Sequence, residues 1–227
     1  MSVSDLTDSR AATDALLSML RQGRWRPRAV ARFLGLAAHR SVRQAACRPR
    51  ALAQLTALHG LLLAAARDRE PGRRWVAAGW LLAALHLGLL EHRDRLSPAD
   101  ALTLIRANLP ATALGSYRWS GVVAIGLDLA DGHLARRQAT VSPFGDYADS
   151  LADAAFWTWL VLRHEPSRTL RAAAIAAWAM PVIAITAVGA RRGTMPERPR
   201  PVLWRPAAAL QVIVAVRHLQ GRRPNAT

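Results

Sequence analysis

Asp128-Leu-Ala-Asp131-Gly132-His133-Leu-Ala135-Arg136, followed after eight intervening residues by Gly145-Asp146-Tyr147-Ala148-Asp149-Ser150-Leu-Ala-Asp153, decides how the chain is read. These two runs hold Asp128, Asp131, Asp149 and Asp153, and apolar sequence flanks them on both sides. Carboxylates near a hydrocarbon core are costly unless they are paired or bound to metal. On a helix, Asp128, Asp131 and Ala135 fall at i, i+3 and i+7, so both carboxylates leave one face. On the next helix, Gly145, Asp149 and Asp153 fall at i, i+4 and i+8, again one stripe. Two such stripes face to face put four carboxylates around one cavity.

Like charges at that density repel and force protonation unless a cation neutralises them. One or two divalent ions do so, and an oxygen-only ligand set without cysteine or a histidine cluster points to Mg²⁺ or Mn²⁺ rather than Zn²⁺. Gly132, Ala135 and Gly145 clear bulk beside the carboxylates. Arg136 offers a fork of donors suited to phosphate oxygens. Metal, arginine and a glycine-cleared slot together make a diphosphate site.

The rest of the chain says where such a site sits. Of 227 residues, 52% are hydrophobic, and the formal net charge is +16 with arginine as the sole basic residue besides histidine. Apolar blocks alternate with arginine-bearing connections, which favours a membrane over nucleic acid as the partner of that charge. A single cysteine, Cys47, excludes an intrachain disulfide and a cysteine-based metal site, and reads as a free interfacial thiol. The polar start, Met1 to Arg10, has no hydrophobic core of a secretory signal, so membrane entry is expected through internal spans.

The predicted fold is all-α: a polytopic transmembrane bundle of about six or seven helices, preceded by an N-terminal amphipathic helical region. Residues 1–50 form the polar and basic amphipathic part, 51–96 add further apolar helices, and 97–227 form the membrane domain that carries the site. Within 1–50, Ala12 to Leu20 has helical apolar spacing, Gly23 and Pro27 interrupt it, and Val30, Phe33, Leu34, Ala37 and Ala38 form a second stripe. That second helix suits either the headgroup layer of a cytoplasmic leaflet or the protein's own core. Spans are expected over Ala51–Ala66 and Trp75–Leu90, with Pro71-Gly72 breaking the charged connection between them. A helix starts at Ser97-Pro98 and ends or kinks near Pro110; Trp119–Ala130, Ala148–Leu162, Leu170–Val188 and Val202–Val216 follow. The Arg136-Arg137 pair and the Arg191–Arg200 loop put one side in the cytoplasm by the positive-inside rule; Arg67 to Arg74 would fall on the opposite side if two spans precede the third helix, a conflict that points to a re-entrant, interfacial or miscounted early segment. The tryptophans read as interfacial anchors, His133 as solvent-facing, and His59 and His86 as interhelical hydrogen-bonding groups.

The pattern D-x2-D-G-x2-A-R-x8-G-x3-D-x3-D, from Asp128 to Asp153, resembles the signature of the CDP-alcohol phosphatidyltransferase family at every fixed position. The resemblance implies a polytopic helical enzyme of phospholipid biosynthesis with a two-metal site at the cytoplasmic membrane interface. It assigns Asp128, Asp131 and Asp149 to metal, and gives Asp153 both a metal contact and the general-base role. Gly132, Ala135, Arg136 and Gly145 would line the pocket for the CDP moiety. A hydroxyl acceptor, deprotonated by Asp153, would attack the β-phosphorus of a CDP-linked lipid and release CMP. Thr103 and Arg106 look like the Thr and Arg that family members carry in the first helix of the domain. The partners implied are the CDP-linked lipid donor, the acceptor and the bilayer, with a homodimer as an allowed assembly. The implied location is the cell membrane, with the active site facing the cytoplasm. The acceptor (inositol phosphate, glycerol phosphate, serine or another alcohol) stays open. Two departures stand out: the 96-residue N-terminal region is additional, and the part after the signature has three helices where four are expected. The competing class is a membrane cation transporter using the same carboxylates, although no inverted repeat is evident.

Overall fold

The structure, a computed structural model, describes residues 8–66, 70–194 and 205–220. Those residues form α1 (Ser9–Gln22), α2 (Pro27–Ala46), α3 (Pro49–Ala64), α4 (Pro71–Leu85), α5 (Pro98–Asn108), α6 (Ser120–Arg137), α7 (Pro143–His164), α8 (Arg168–Arg192) and α9 (Arg205–Leu219). No strand occurs among the described residues; a single bridge joins Ala66 to Thr112. The all-α expectation holds among the described residues; of these helices, α8 alone is long and apolar enough to cross a membrane, with α9 a shorter apolar helix. Three of them, α7, α8 and α9, follow the first half of the signature, as the sequence suggested.

Proline sets several helix starts. Pro27, Pro49, Pro71, Pro98 and Pro143 each occupy the first turn, where a missing N–H costs nothing and φ is already helical. Pro71 therefore opens α4 rather than breaking a connection, which corrects the reading of Pro71-Gly72 as a loop. The second apolar span also stops short: α4 ends at Leu85, and Leu87–Leu90 continue as a 3-10 turn. The Arg67–Arg69 and 195–204 stretches, with the start of the Val202 block, lie outside the described residues, as do Met1 to Thr7.

Two apolar cores hold the helices. One gathers Leu109, Ala124, Phe156, Leu160, Trp178 and Ala215 from α6 to α9 and the end of α5. The other gathers Leu55, Ala83, Leu87, Leu104 and Phe144, so α3, α4 and the 3-10 turn pack against α5 and α7. Glycine lets α6 and α9 approach closely: a Cβ on Gly121 would stand 3.0 Å from Ala215 Cβ. At the far end, Gly72 lies under Ala111, which puts the α3–α4 connection at the C-terminal end of α5 and away from the signature aspartates.

The N-terminal helices are attached to the rest by polar links. Arg21 donates to the Arg192 carbonyl at 2.9 Å, Ser9 Oγ to Glu91 Oε1 at 2.6 Å, and Arg48 to the Glu91 carbonyl at 2.6 Å. On α2 Gln44 is buried, while Leu34 of the apolar stripe and Val42 are exposed. Cys47 is free and exposed.

The aromatic and histidine expectations need correction. Trp157 and Trp178 are core residues, and Trp75 Nε1 donates inward to the Ala107 carbonyl at 2.9 Å; among the described tryptophans, Trp25 and Trp119 are exposed. Packing volume, rather than an interface, explains the buried pair. His59 and His86 do not reach each other or bond between helices. Each places Nδ1 by the carbonyl four residues back, Leu55 and Leu82, and His86 stacks on Tyr147 with ring centroids 3.9 Å apart. His133 is exposed, as read.

Candidate active site

The site is built where α5, α6 and α7 meet near one end of the bundle. The α5 start is fixed by a capping box: Asp100 N–H donates to Ser97 Oγ at 3.1 Å, and Ser97 N–H donates to Asp100 Oδ2 at 2.7 Å. The α7 start is capped by Ser142, whose Oγ accepts from Gly145 N–H at 3.2 Å. Between them α6 ends in a Schellman-type turn. Thr140 N–H reaches the Ala135 carbonyl at 3.0 Å, and Ala139 N–H reaches Arg136 at 3.4 Å. Ala139 takes the left-handed position usually left to glycine, at φ 51°.

These starts and stops set the helical registers, and the registers bring the carboxylates together. One oxygen each from Asp128, Asp131 and Asp149 lies within 4.8 Å of the others. Asp131 is buried, with 8% of its side chain exposed, whereas Asp128 and Asp149 keep 41% and 46% open. Asp153 lies one turn further along α7 and is also largely covered.

Arg106 stands among all four. Its fully buried guanidinium pairs with Asp128 through Nη1 and Asp149 through Nη2. Asp131 Oδ2 is 3.6 Å from Nη1, and Asp153 Oδ1 is 3.3 Å from Nη2. One cation among four carboxylates answers part of their repulsion. Thr103, one turn back on α5, donates from Oγ1 to Asp131 Oδ2 at 2.7 Å. Gln211 of α9 donates from Nε2 to Asp153 Oδ2 at 3.0 Å. In the sequence Thr103 and Arg106 stood out only by their resemblance to the pair that family members carry. In the fold they are the buried partners of the aspartates. Gln211 was missed; a lone amide in an apolar stretch was the signal available.

A cavity of about 400 Å³ opens beside this cluster, lined by Asp128, Asp131 and Asp149 together with Gly132, Ala135, Arg136 and Gly145. Every residue the sequence assigned to the CDP moiety therefore faces the same space. Thr103 and Asp100 line it too. A Cβ on Gly145 would come 3.4 Å from Asp100 Oδ1 and one on Gly132 3.2 Å from the Arg136 guanidinium, so both glycines keep the slot open. Asp153 is not among the lining residues. Chemically, the arrangement offers hard oxygen ligands at the cavity wall, an arginine fork at its rim and one covered carboxylate behind them.

No curated protein and no solved structure matches the chain. A family model described as CDP-alcohol phosphatidyltransferase matches residues 99–219, which is the span from the first turn of α5 to the last residue of α9. The matched segment contains all four aspartates, Thr103, Arg106, Gln211 and every residue that shapes the slot. With over half of its length in that match, the chain belongs to the CDP-alcohol phosphatidyltransferase family.

Proposed function

We propose that this protein transfers a phosphatidyl-type group from a CDP-linked lipid to a hydroxyl acceptor, with release of CMP. Family membership supplies the coarser statement, a transferase of substituted phosphate groups in phospholipid synthesis. The observation that carries the finer reading is the shared cavity, where the carboxylates of Asp128, Asp131 and Asp149 meet Gly132, Ala135, Arg136 and Gly145.

The donor set fits a hard divalent ion: three carboxylate oxygens within 4.8 Å of one another, with no sulfur or imidazole among them. Asp128, Asp131 and Asp149 would hold Mg²⁺ or Mn²⁺, with Asp153 completing a two-ion site. Bound there, such ions supply charge neutralisation for the diphosphate and its departing CMP. The chain's own residues do the rest. Arg136 at the rim orients phosphate oxygens, and the absent side chains of Gly132 and Gly145 let the nucleotide approach the backbone. Asp153 accepts the proton of the acceptor hydroxyl, and that oxygen attacks the β-phosphorus as the bond to CMP breaks. The Gln211 amide holds one Asp153 oxygen, and the other lies 3.3 Å from the Arg106 guanidinium among the other three carboxylates.

The membrane assignment rests on surface chemistry. α8 is long and apolar enough to cross a bilayer, and only 17% of its most apolar stretch is buried. Met180, Val182 and Ile183 on α8, with Val212 and Ile213 on α9 and Leu61 and Leu81 on α3 and α4, are exposed apolar groups suited to lipid tails. We place the site end in the cytoplasm of a cell-membrane protein, with 1–50 and 51–96 as additions to a domain at 97–227.

CMP release from CDP-diacylglycerol, measured over a panel of alcohol acceptors with Mg²⁺ or chelator, tests the reading. Metal-dependent CMP from at least one acceptor, abolished in Asp153→Asn, is expected. No metal-dependent CMP with any acceptor, or an Asp153→Asn protein as active as the unaltered one, overturns it.

A further inference from the structure

We propose that Arg93, which precedes the matched segment, is a positioning residue of the active site: it clamps the α6–α7 loop and Asp100 so that the nucleotide side of the cavity keeps its shape. The inference rests on the proposed transfer reaction, and it assigns that reaction a residue from the additional N-terminal region.

The geometry is specific. Arg93 Nη1 donates to the Thr140 carbonyl at 2.9 Å and to Ser142 Oγ at 3.1 Å. Its Nη2 donates to Asp100 Oδ2 at 2.5 Å and to the Arg95 carbonyl at 3.2 Å. One planar guanidinium therefore ties the α6 C-terminal turn, the α7 N-cap and the α5 capping box. Each of those three acceptors belongs to a residue lining the cavity. Asp100 in turn lies against Gly145, and both line the cavity.

The loop needs such a hold. Ala139 sits in left-handed backbone, a conformation that costs a residue bearing a Cβ and persists only where its surroundings impose it. Arg93 grips the very next residue. Its own segment is fastened in turn, because the Glu91 carbonyl accepts from Arg48 and the Glu91 carboxylate from Ser9. The N-terminal region thus reaches the slot through a chain of polar contacts: Ser9 and Arg48 to Glu91, then Arg93 to Asp100, Thr140 and Ser142. Lysine cannot replace this fork, since it offers a point charge in place of planar donors.

Two readouts on the full chain test the proposal. In CMP-release kinetics with CDP-diacylglycerol, Arg93→Ala should raise the donor KM roughly tenfold while kcat at saturating donor falls less than about twofold, with Arg93→Lys in between, as expected for a residue acting through others. In limited trypsinolysis followed by mass spectrometry, cleavage after Arg137 should accelerate in Arg93→Ala relative to cleavage at arginines on α2. If Arg93→Ala does not fold, Arg93→Lys carries both measurements. An unchanged donor KM, or a fall in kcat with KM unmoved, overturns the proposal. If the unaltered protein releases no CMP, the transfer reading fails by itself, and the trypsin arm still decides on the clamp: unchanged cleavage after Arg137 overturns it.

Discussion

The Thr103 hydroxyl donates to Asp131 Oδ2 across the α5–α6 contact at 2.7 Å, which fixes the most deeply buried carboxylate of the cluster in one orientation. A partner of this kind tunes a ligand it never replaces. Thr103→Val keeps the shape of the side chain and removes the donor. It should weaken Mn²⁺ binding, followed by isothermal calorimetry, by roughly 10- to 100-fold. Saturating metal should restore most of the activity.

Gln211 makes the corresponding contact to Asp153 from α9. Gln211→Ala frees one carboxylate oxygen to rotate away from the acceptor. The expected result in steady-state CMP release is a fall in kcat of about tenfold with little change in donor KM. An equal loss in KM and kcat would instead indicate that α9 had shifted as a whole.

Ala139 offers a stabilising change. Glycine at that left-handed position relieves the Cβ strain and loses some of the gain to its greater freedom when unfolded. Ala139→Gly should therefore raise stability by about 0.5–1 kcal/mol, read as a higher midpoint in thermal unfolding of the detergent-solubilised protein.

Glu165, in the α7–α8 connection, gives a pH-dependent element. Burial pushes its carboxyl up, but the two Arg217 hydrogen bonds, at 2.8 and 2.9 Å, and the Ser167 N–H outweigh that and hold it below its ordinary value of 4.5. A depressed folded-state pKa gives stability that is present above the unfolded value and lost as pH falls through the folded one. Glu165→Gln should lower stability at pH 7, and the gap to the unaltered protein should close as the pH is lowered below the ordinary carboxylate value. Thermal unfolding of both proteins between neutral and acid pH checks it.

The signature residues were legible because their geometry is local. Asp128 with Asp131, and Asp149 with Asp153, share a face by helical periodicity alone, and Ser97-Pro98 announces where α5 begins; α7 starts at Pro143, five residues before the apolar block read from the sequence. What the sequence could not deliver was the meeting of distant residues. Arg106 joins an aspartate 22 positions away and Gln211 one 58 positions away, so both depend on how α5, α6, α7 and α9 pack. The same holds for the tryptophans. Trp157 and Trp178 differ from the exposed Trp119 only in the neighbours the fold supplies. Arg93 shows the limit most clearly, since in sequence it is one arginine in a charged connection.

The placement of Arg106 has a consequence for the order of events in the life of the protein. Where a site consists of bare like charges, the chain cannot close until an ion arrives, and metal uptake then becomes part of folding. Here a resident guanidinium already bridges α6 and α7. On the proposed metal-dependent reading, the newly made chain would assemble these helices first and take up its ions afterwards, so a cell short of divalent metal would accumulate folded, inactive protein awaiting activation.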